Sequence, residues 1–200
     1  MGNFKEFKMK KHYYSWKDVQ GAVLDIARQL QQDSWKPDYI AGITRGGAVP
    51  AVLLSHYLNI PMHPLEISLR DGGGCVSNLG MAEDAFGYIP VEDRQDAYFE
   101  INMLPVKGDV SDPKKRKNIL IVDDINDTGA TIAWIKQDWP SGCLPDNVAW
   151  KHIWGQNVRF ATLTDNLASK ETVDYSVWEV NKAQDDVWLV YPWEDFWRGK

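Results

Sequence analysis

Apolar positions in this chain recur with two different periods, and the alternation between them outlines a fold. Starting at Val19, the residues Val23, Ile26, Ala27 and Leu30 return every three or four positions, the spacing that lines one face of a helix. Ser15 stands ahead of them as an N-cap, with Asp18 three residues on as its capping-box partner. Pro37 ends the connection, and Tyr39–Ile43 reads as a short buried strand. Thr44–Ala48 is a turn, and Pro50 suits the first turn of a helix that begins near Val49 and runs to about Leu58. Leu65, Ile67 and Leu69 alternate as a strand. Ile119–Val122 is a second buried strand, followed by a helix over Ile132–Trp139 and a connection over Pro140–Asn147. Val158–Leu163, Tyr175–Val180 and Val187–Val190 read as further strands. Helices and strands in this order predict the α/β class, with a central mostly parallel sheet and right-handed crossovers.

Between Arg70 and about Asn118 neither period holds. Glycines fill positions 72–74 and acids are frequent. A loop of that length is uncommon unless it is functional or disordered. The chain is therefore expected to be a single domain over residues 1–200, with a flexible insertion at about 70–118. A small C-terminal lobe at about 160–200 is expected over the sheet edge.

Composition narrows the class of partner. The net charge of −6 argues against nonspecific nucleic-acid binding, which needs a basic footprint. The basic run Lys114–Lys117 reads as a solvated edge. Ten tryptophans are many for this length, and Trp178, Trp188, Trp193 and Trp197 cluster late, which suggests aromatic packing and a stacking surface. Cys75 and Cys143 show neither metal spacing nor a disulfide framework, so reduced thiols and a cytoplasmic setting are expected. The N-terminal stretch has no apolar leader, Glu6 breaks the myristoylation pattern, and no run reaches the length of a membrane span. No membrane partner is expected.

The chemistry concentrates in Ile119–Thr131, ILIVDDINDTGAT. Asp123 and Asp124 close an apolar strand, and a short loop with a third acid, two hydroxyls and a glycine leads into a helix. Free N–H groups at a helix start make a phosphate seat. Paired acids repel phosphate, but they accept well from two neighbouring hydroxyls such as a ribose diol. The segment reads as a holder for a phosphorylated sugar. Phosphoacceptor domains and Mg2+-dependent hydrolases also end strands in acids, but they need a lone nucleophilic Asp and a separately presented lysine. Thr44-Arg45-Gly46-Gly47 follows the strand Tyr39–Ile43. Its glycines let backbone N–H groups approach an anion, and Arg45 adds a positive charge. Trp188–Glu194, WLVYPWE, is apolar and aromatic with one acid, and suits a terminal strand packed on the core.

The first of these strings closely resembles the signature of the type I phosphoribosyltransferases, which bind 5-phosphoribosyl 1-diphosphate (PRPP). ITRGGAVPA resembles the diphosphate loop of the xanthine-guanine branch, and WLVYPWE the hood of bacterial 6-oxopurine enzymes. The resemblance runs from about Ser15 to Trp197, with the insertion and Pro140–Trp154 outside it. It implies transfer of phosphoribose from PRPP to a purine base, releasing diphosphate, as in purine salvage. Asp123 and Asp124 would hold the ribose hydroxyls, and Asp127, Thr128, Gly129, Ala130 and Thr131 the 5′-phosphate. Asp127 would also face N7 of the base as general base. Thr44, Arg45, Gly46 and Gly47 would hold diphosphate, with a cis peptide at Thr44–Arg45, and Arg70 would add a cation. Trp188 would stack on the base while the Leu189 backbone reads its edge. Mg2+ is the implied cofactor, near Glu194, Asp123 and Asp124. A homo-oligomer, dimer or tetramer, is the implied assembly. One departure stands out. A lysine that meets the purine 6-oxygen in the family corresponds to Asn166 here, so Asn166 becomes the candidate base contact. That departure keeps open an adenine or pyrimidine acceptor. The other alternative is a non-catalytic PRPP-binding or nucleotide-binding regulator, against which the acidic balance and the lack of a spare DNA-binding domain count.

Overall fold

The computed structural model describes residues 10–67, 78–89, 110–185 and 187–194. Its centre is a five-stranded, wholly parallel sheet. The strands are β2 (Tyr39–Thr44), β3 (Met62–Glu66), β6 (Ile119–Asn126), β7 (Val158–Asn166) and β8 (Tyr175–Val180), in the order β3-β2-β6-β7-β8. A strand covered on both faces must be apolar at every position rather than at alternate ones. Residues 119–122 of β6 meet that demand and are all buried. Leu120 and Val122 enter the core shared with α1 (Trp16–Gln32) and α2 (Ala48–Leu58). Ile119 and Ile121 enter the other core, against α3 (Leu79–Phe86) and α4 (Ala130–Gly142). The result is a three-layer sandwich with helices on both faces.

Helix α1 forms where its pattern placed it. The Ser15 hydroxyl accepts from the Asp18 N–H at 3.2 Å, and the Asp18 carboxylate accepts from the Ser15 N–H at 2.7 Å, closing the expected capping box. Val19, Ala22, Val23, Ile26, Ala27 and Leu30 form its buried stripe.

Six expectations change. Strand β3 spans Met62–Glu66, earlier than the alternation at Leu65, Ile67 and Leu69, so Ile67 follows it and Leu69 lies outside the described residues. Strand β6 continues past Val122 through both acids to Asn126. Helix α4 runs past Pro140 to Gly142, because a proline in the last turn forfeits one bond while the buried Trp139 still anchors that turn. Strand β7 extends beyond its apolar run to Asn166, since Thr164 and Asn166 are buried with hydrogen-bond partners. The expected insertion contains core structure. Ala82, Ala85 and Phe86 of α3 are buried, and the Phe86 ring stacks on Trp150 at 4.9 Å. After α3 come two short antiparallel strands, β4 (Tyr88–Ile89) and β5 (Val110–Ser111). Residues 68–77 and 90–109 of that insertion, Arg70 and Cys75 among them, lie outside the described residues. Lastly, β7 and β8 belong to the central sheet, so the C-terminal lobe is smaller than 160–200. It consists of β9 (Val187–Val190) paired in parallel with β1 (Lys10–Tyr13), plus the turn that follows. Strand β1 carries no apolar signal, because its four residues are all exposed and only β9 makes it a strand.

No helix among the described residues is long and apolar enough to cross a membrane. The core role of α3 is open to a direct check. Phe86→Ala is expected to lower the unfolding free energy by about 3–5 kcal/mol in urea denaturation, a loss that a loop residue would not produce.

Candidate active site

Parallel strands all end on one edge of their sheet. From β2 the chain turns outward to β3, whereas β6 and its successors lie on the other side of β2. The loops after β2 and β6 therefore diverge and leave a crevice, the usual ligand position in open parallel sheets. Thr44–Gly47 and Asp123–Thr131 both stand at this crevice. The Thr44–Arg45 peptide is cis, as the resemblance implied.

The two motifs touch. A Cβ at Gly46 would overlap the Asp124 carboxylate, with Cγ at 2.6 Å, and one at Gly47 would stand 2.6 Å from Asp123 Cα. Only glycine lets the loop after β2 lie flat against the acid pair. Gly47 is the N-cap of α2 and Gly129 the N-cap of α4. Gly129 has φ of 80°, and a Cβ there would meet Glu171 N at 2.7 Å. Neither glycine brings a side-chain oxygen to the first-turn N–H groups, and those are the groups an anion would use. Arg45, Thr128 and Ala130 are exposed around these helix starts.

The acid pair sits on an aromatic support. The Tyr191 hydroxyl donates to the Asp124 carbonyl at 2.9 Å and lies 2.9 Å from Thr164 Oγ1. Burial raises the Tyr191 phenol well above its ordinary pKa, so it remains a donor. Its ring stacks on Trp193 at 4.9 Å and on Tyr14 at 5.2 Å, and Tyr14 stacks on Trp178 at 4.1 Å. This ladder joins the lobe to the central sheet directly under the acids. Burial, and next the field of the Glu194 carboxylate, push Asp124 up to about 6. Excess negative charge from hard oxygen ligands suits Mg2+. Asp123, Asp124 and Glu194 nevertheless do not form a protein cage, since no three acids close into a metal-holding cluster among the described residues. Two of these carboxylates are turned onto nearby backbone. Asp123 Oδ1 accepts from the Asp124 N–H at 2.9 Å, and Glu194 Oε2 accepts from the Tyr191 N–H at 3.2 Å. A Mg2+ ion here would draw most of its ligands from substrate phosphates and water.

Asn166 does not present itself to a base. Its Nδ2 donates to the Asp127 carbonyl at 2.7 Å, and its Oδ1 accepts from the N–H groups of Ala168 at 3.2 Å and Lys182 at 3.0 Å. It is buried, and it works as a clamp between β7 and the loop before α4. Further bonds stiffen the same loop. Asn126 donates to the Asp165 carboxylate at 2.8 Å and to the Glu171 carbonyl at 2.7 Å, and Ser169 donates to Asn126 Oδ1 at 3.0 Å. The cation near Asp127 is one the sequence reading missed. Lys182, just past β8, places Nζ 3.0 Å from Asp127 Oδ2. Its position in sequence is far from the motif, and only the parallel pairing of β7 with β8 brings it there.

In the lobe, Trp188 remains 45% exposed, enough ring to serve as a platform. The Val190 carbonyl accepts from the Tyr14 N–H at 3.0 Å and so faces β1. Backbone groups alternate along a strand, so those of Leu189 face the opposite edge.

Comparison with known proteins agrees with this geometry. Residues 10–195 match the model of the phosphoribosyl transferase domain. A xanthine-guanine phosphoribosyltransferase of Idiomarina loihiensis is 27% identical over 186 residues, covering 92% of this chain and 88% of that protein. The solved purine phosphoribosyltransferase of Pyrococcus horikoshii superposes with a TM-score of 0.57 at 26% identity, covering 93% of this chain and 95% of the other. The Helicobacter pylori xanthine-guanine-hypoxanthine phosphoribosyltransferase shares the fold with a TM-score of 0.60 at 17% identity, covering 94% and 96%. A crevice built from two glycine-fitted loops, one closing on paired acids and both leading into helix starts, together with a match spanning residues 10–195, makes this chain a member of the phosphoribosyltransferase family.

Proposed function

We propose that this chain transfers the 5-phosphoribosyl group of PRPP to a ring nitrogen of a 6-oxopurine (guanine, xanthine or hypoxanthine), releasing diphosphate, in purine salvage. The observation that carries the choice of base is the pair Lys182–Asp127 at 3.0 Å. N7 and the C6 substituent lie on the same edge of a purine, with oxygen at C6 in guanine and an amino group in adenine. If Asp127 faces N7, the group beside its carboxylate faces the substituent at C6. An ammonium only donates, so it accepts an oxygen there and rejects an amino group. Asn166, occupied on both sides, cannot supply that contact. The names of the relatives, which include xanthine-guanine and purine phosphoribosyltransferases, point the same way.

In this reading the Asp127–Thr131 loop and the start of α4 hold the 5′-phosphate. Asp123 and Asp124 accept from the ribose hydroxyls. The Thr44–Gly47 loop and the start of α2 stabilise charge gathering on the departing diphosphate. Mg2+ would neutralise part of that charge when bound with the substrate. Trp188 stacks on the base, worth about 1–3 kcal/mol. Asp127 takes the proton from the purine. A homo-oligomer in the cytoplasm is the setting we infer from the family resemblance.

A panel of guanine, xanthine, hypoxanthine, adenine, uracil and orotate with PRPP and Mg2+, following diphosphate release, tests the proposal. Turnover is expected with the 6-oxopurines, and turnover confined to adenine or a pyrimidine would refute the base assignment. Asp127→Asn is expected to lower kcat about 10²–10⁴-fold while PRPP affinity persists. Lys182→Met should cost about tenfold or more in kcat/KM for hypoxanthine and leave any adenine activity unchanged, whereas equal losses on both bases would remove Lys182 from base selection. The raised Asp124 carboxyl gives a stability signature. Its charged form is disfavoured in the folded state, so the penalty is present above about pH 6 and is relieved as pH falls through that value. Asp124→Asn should therefore raise the unfolding free energy by about 1–2 kcal/mol at pH 8, converge with the parent chain below about pH 4, and weaken PRPP binding.

A further inference from the structure

The opposite edge of the sheet carries a second concavity. Asn118 and Asn157, the residues just before β6 and β7, meet the short 3-10 turn Val148–His152 around a cleft of about 420 Å³. That volume is within the range of small-molecule sites. Arg116, Lys151, His152 and Trp154 also line it, with Pro113 and Gln156. The eight residues of β6 separate this cleft from the loop that leads into α4, a span of about 25 Å.

In a chain of net charge −6, the basic run 114–117 ends at this cleft. Lys117 pairs with Asp84 at 2.8 Å, and Lys114 and Lys115 are exposed. Arg116 is different. Its Nη2 donates to the neutral Ser111 hydroxyl at 3.2 Å, and its Nε is buried with no hydrogen-bond partner among the described residues. No ion pair among the described residues engages Arg116 or Lys151. Burial draws the Arg116 guanidinium below its ordinary pKa. A cation that loses water without gaining a counter-charge is costly, and an anion in the cleft would supply both charge and acceptor.

The neighbouring wall has the opposite hydrogen-bonding sense. Asn118 spends its Nδ2 on the Lys36 carbonyl at 2.9 Å. Asn157 spends its own on the carbonyls of Ala85 at 2.9 Å and Lys117 at 3.0 Å. Both carboxamide oxygens and the second N–H of Asn118 remain to meet a ligand, and the oxygens accept from hydroxyls or ring N–H groups. Trp154, stacked on Trp150 at 5.8 Å and on Phe160 at 6.2 Å, supplies a rigid half-buried aromatic surface. Cations, acceptors and an aromatic surface in one cleft match a phosphate, a sugar or base edge, and a ring.

We propose that this cleft is a second binding site, separate from the crevice between β2 and β6, for a nucleoside monophosphate. The test uses the full chain with GMP as probe. Equilibrium dialysis is expected to give two GMP per chain, and photolabelling with 8-azido-GMP should mark the segment around Lys151–Trp154 as well as the crevice. Lys151 and His152 are exposed, so Lys151→Glu and the double variant with His152→Glu should fold normally. Each should weaken the second site about tenfold or more, abolish that label and leave phosphoribosyl transfer at the parental rate. A single GMP with the label confined to the crevice, or a label around Lys151–Trp154 that persists in both variants, would overturn the proposal, whereas a single GMP with the label confined to Lys151–Trp154 would uphold it. Two sites in a chain that transfers no phosphoribose would uphold it while sinking the function proposed above.

Discussion

The structure depends on one close contact, the packing of the Gly46–Gly47 backbone against Asp123 and Asp124. Two loops that leave a parallel sheet in opposite directions would ordinarily stand apart. Here they meet with no room for a methyl group between them, so the start of α2 and the acid pair of β6 form one surface. The acids are costly to hold there. Burial and the Glu194 field raise Asp124, so folding keeps negative charge where it is unfavourable. Such an arrangement persists when a ligand needs it. Tyr191 and the aromatic ladder of Tyr14, Trp178 and Trp193 offset the cost from below with stacking and a buried hydrogen bond to the Asp124 carbonyl.

The second half of the site is governed by polar bonds rather than by packing. Asn126, Asn166, Ser169 and Glu171 tie the segment after β7 to the loop before α4, and almost every polar atom they bury has a partner. A network satisfied in this way is rigid, and it holds the N–H groups at the start of α4 in one geometry. The same network engages both ends of the Asn166 carboxamide, while Lys182, just past β8, reaches Asp127. A cation therefore stands beside Asp127 although the position expected to carry one holds Asn166.

Much of this was readable beforehand. The capping box at Ser15, the stripe of α1, the strands around Ile40 and Ile121, and the two motifs at strand ends all follow from local periodicity or from short-range residue chemistry. The failures share a physical cause. Strand β1 is polar and exposed, and exists because β9 offers it an edge. Helix α3 lies in a stretch where short-range signals are poor, and burial of Ala82, Ala85 and Phe86 against the second core is what stabilises it. The last residues of β7 look like loop by composition, yet partners distant in sequence satisfy them.

The sequence by itself determined what each segment could do locally. Glycines allow close approach, adjacent acids accept from a diol, and apolar runs must be buried on both faces. Those properties belong to residue types and to spacings of a few positions. Tertiary structure decided what depends on residues far apart meeting. It set which cation stands at Asp127, how far Asp124 is raised, which of the three acids turn to nearby backbone, and where a partly buried guanidinium with an unpartnered Nε comes to rest. Such outcomes hinge on strand order and register, and the energies that choose among them arise only when the layers close and water leaves.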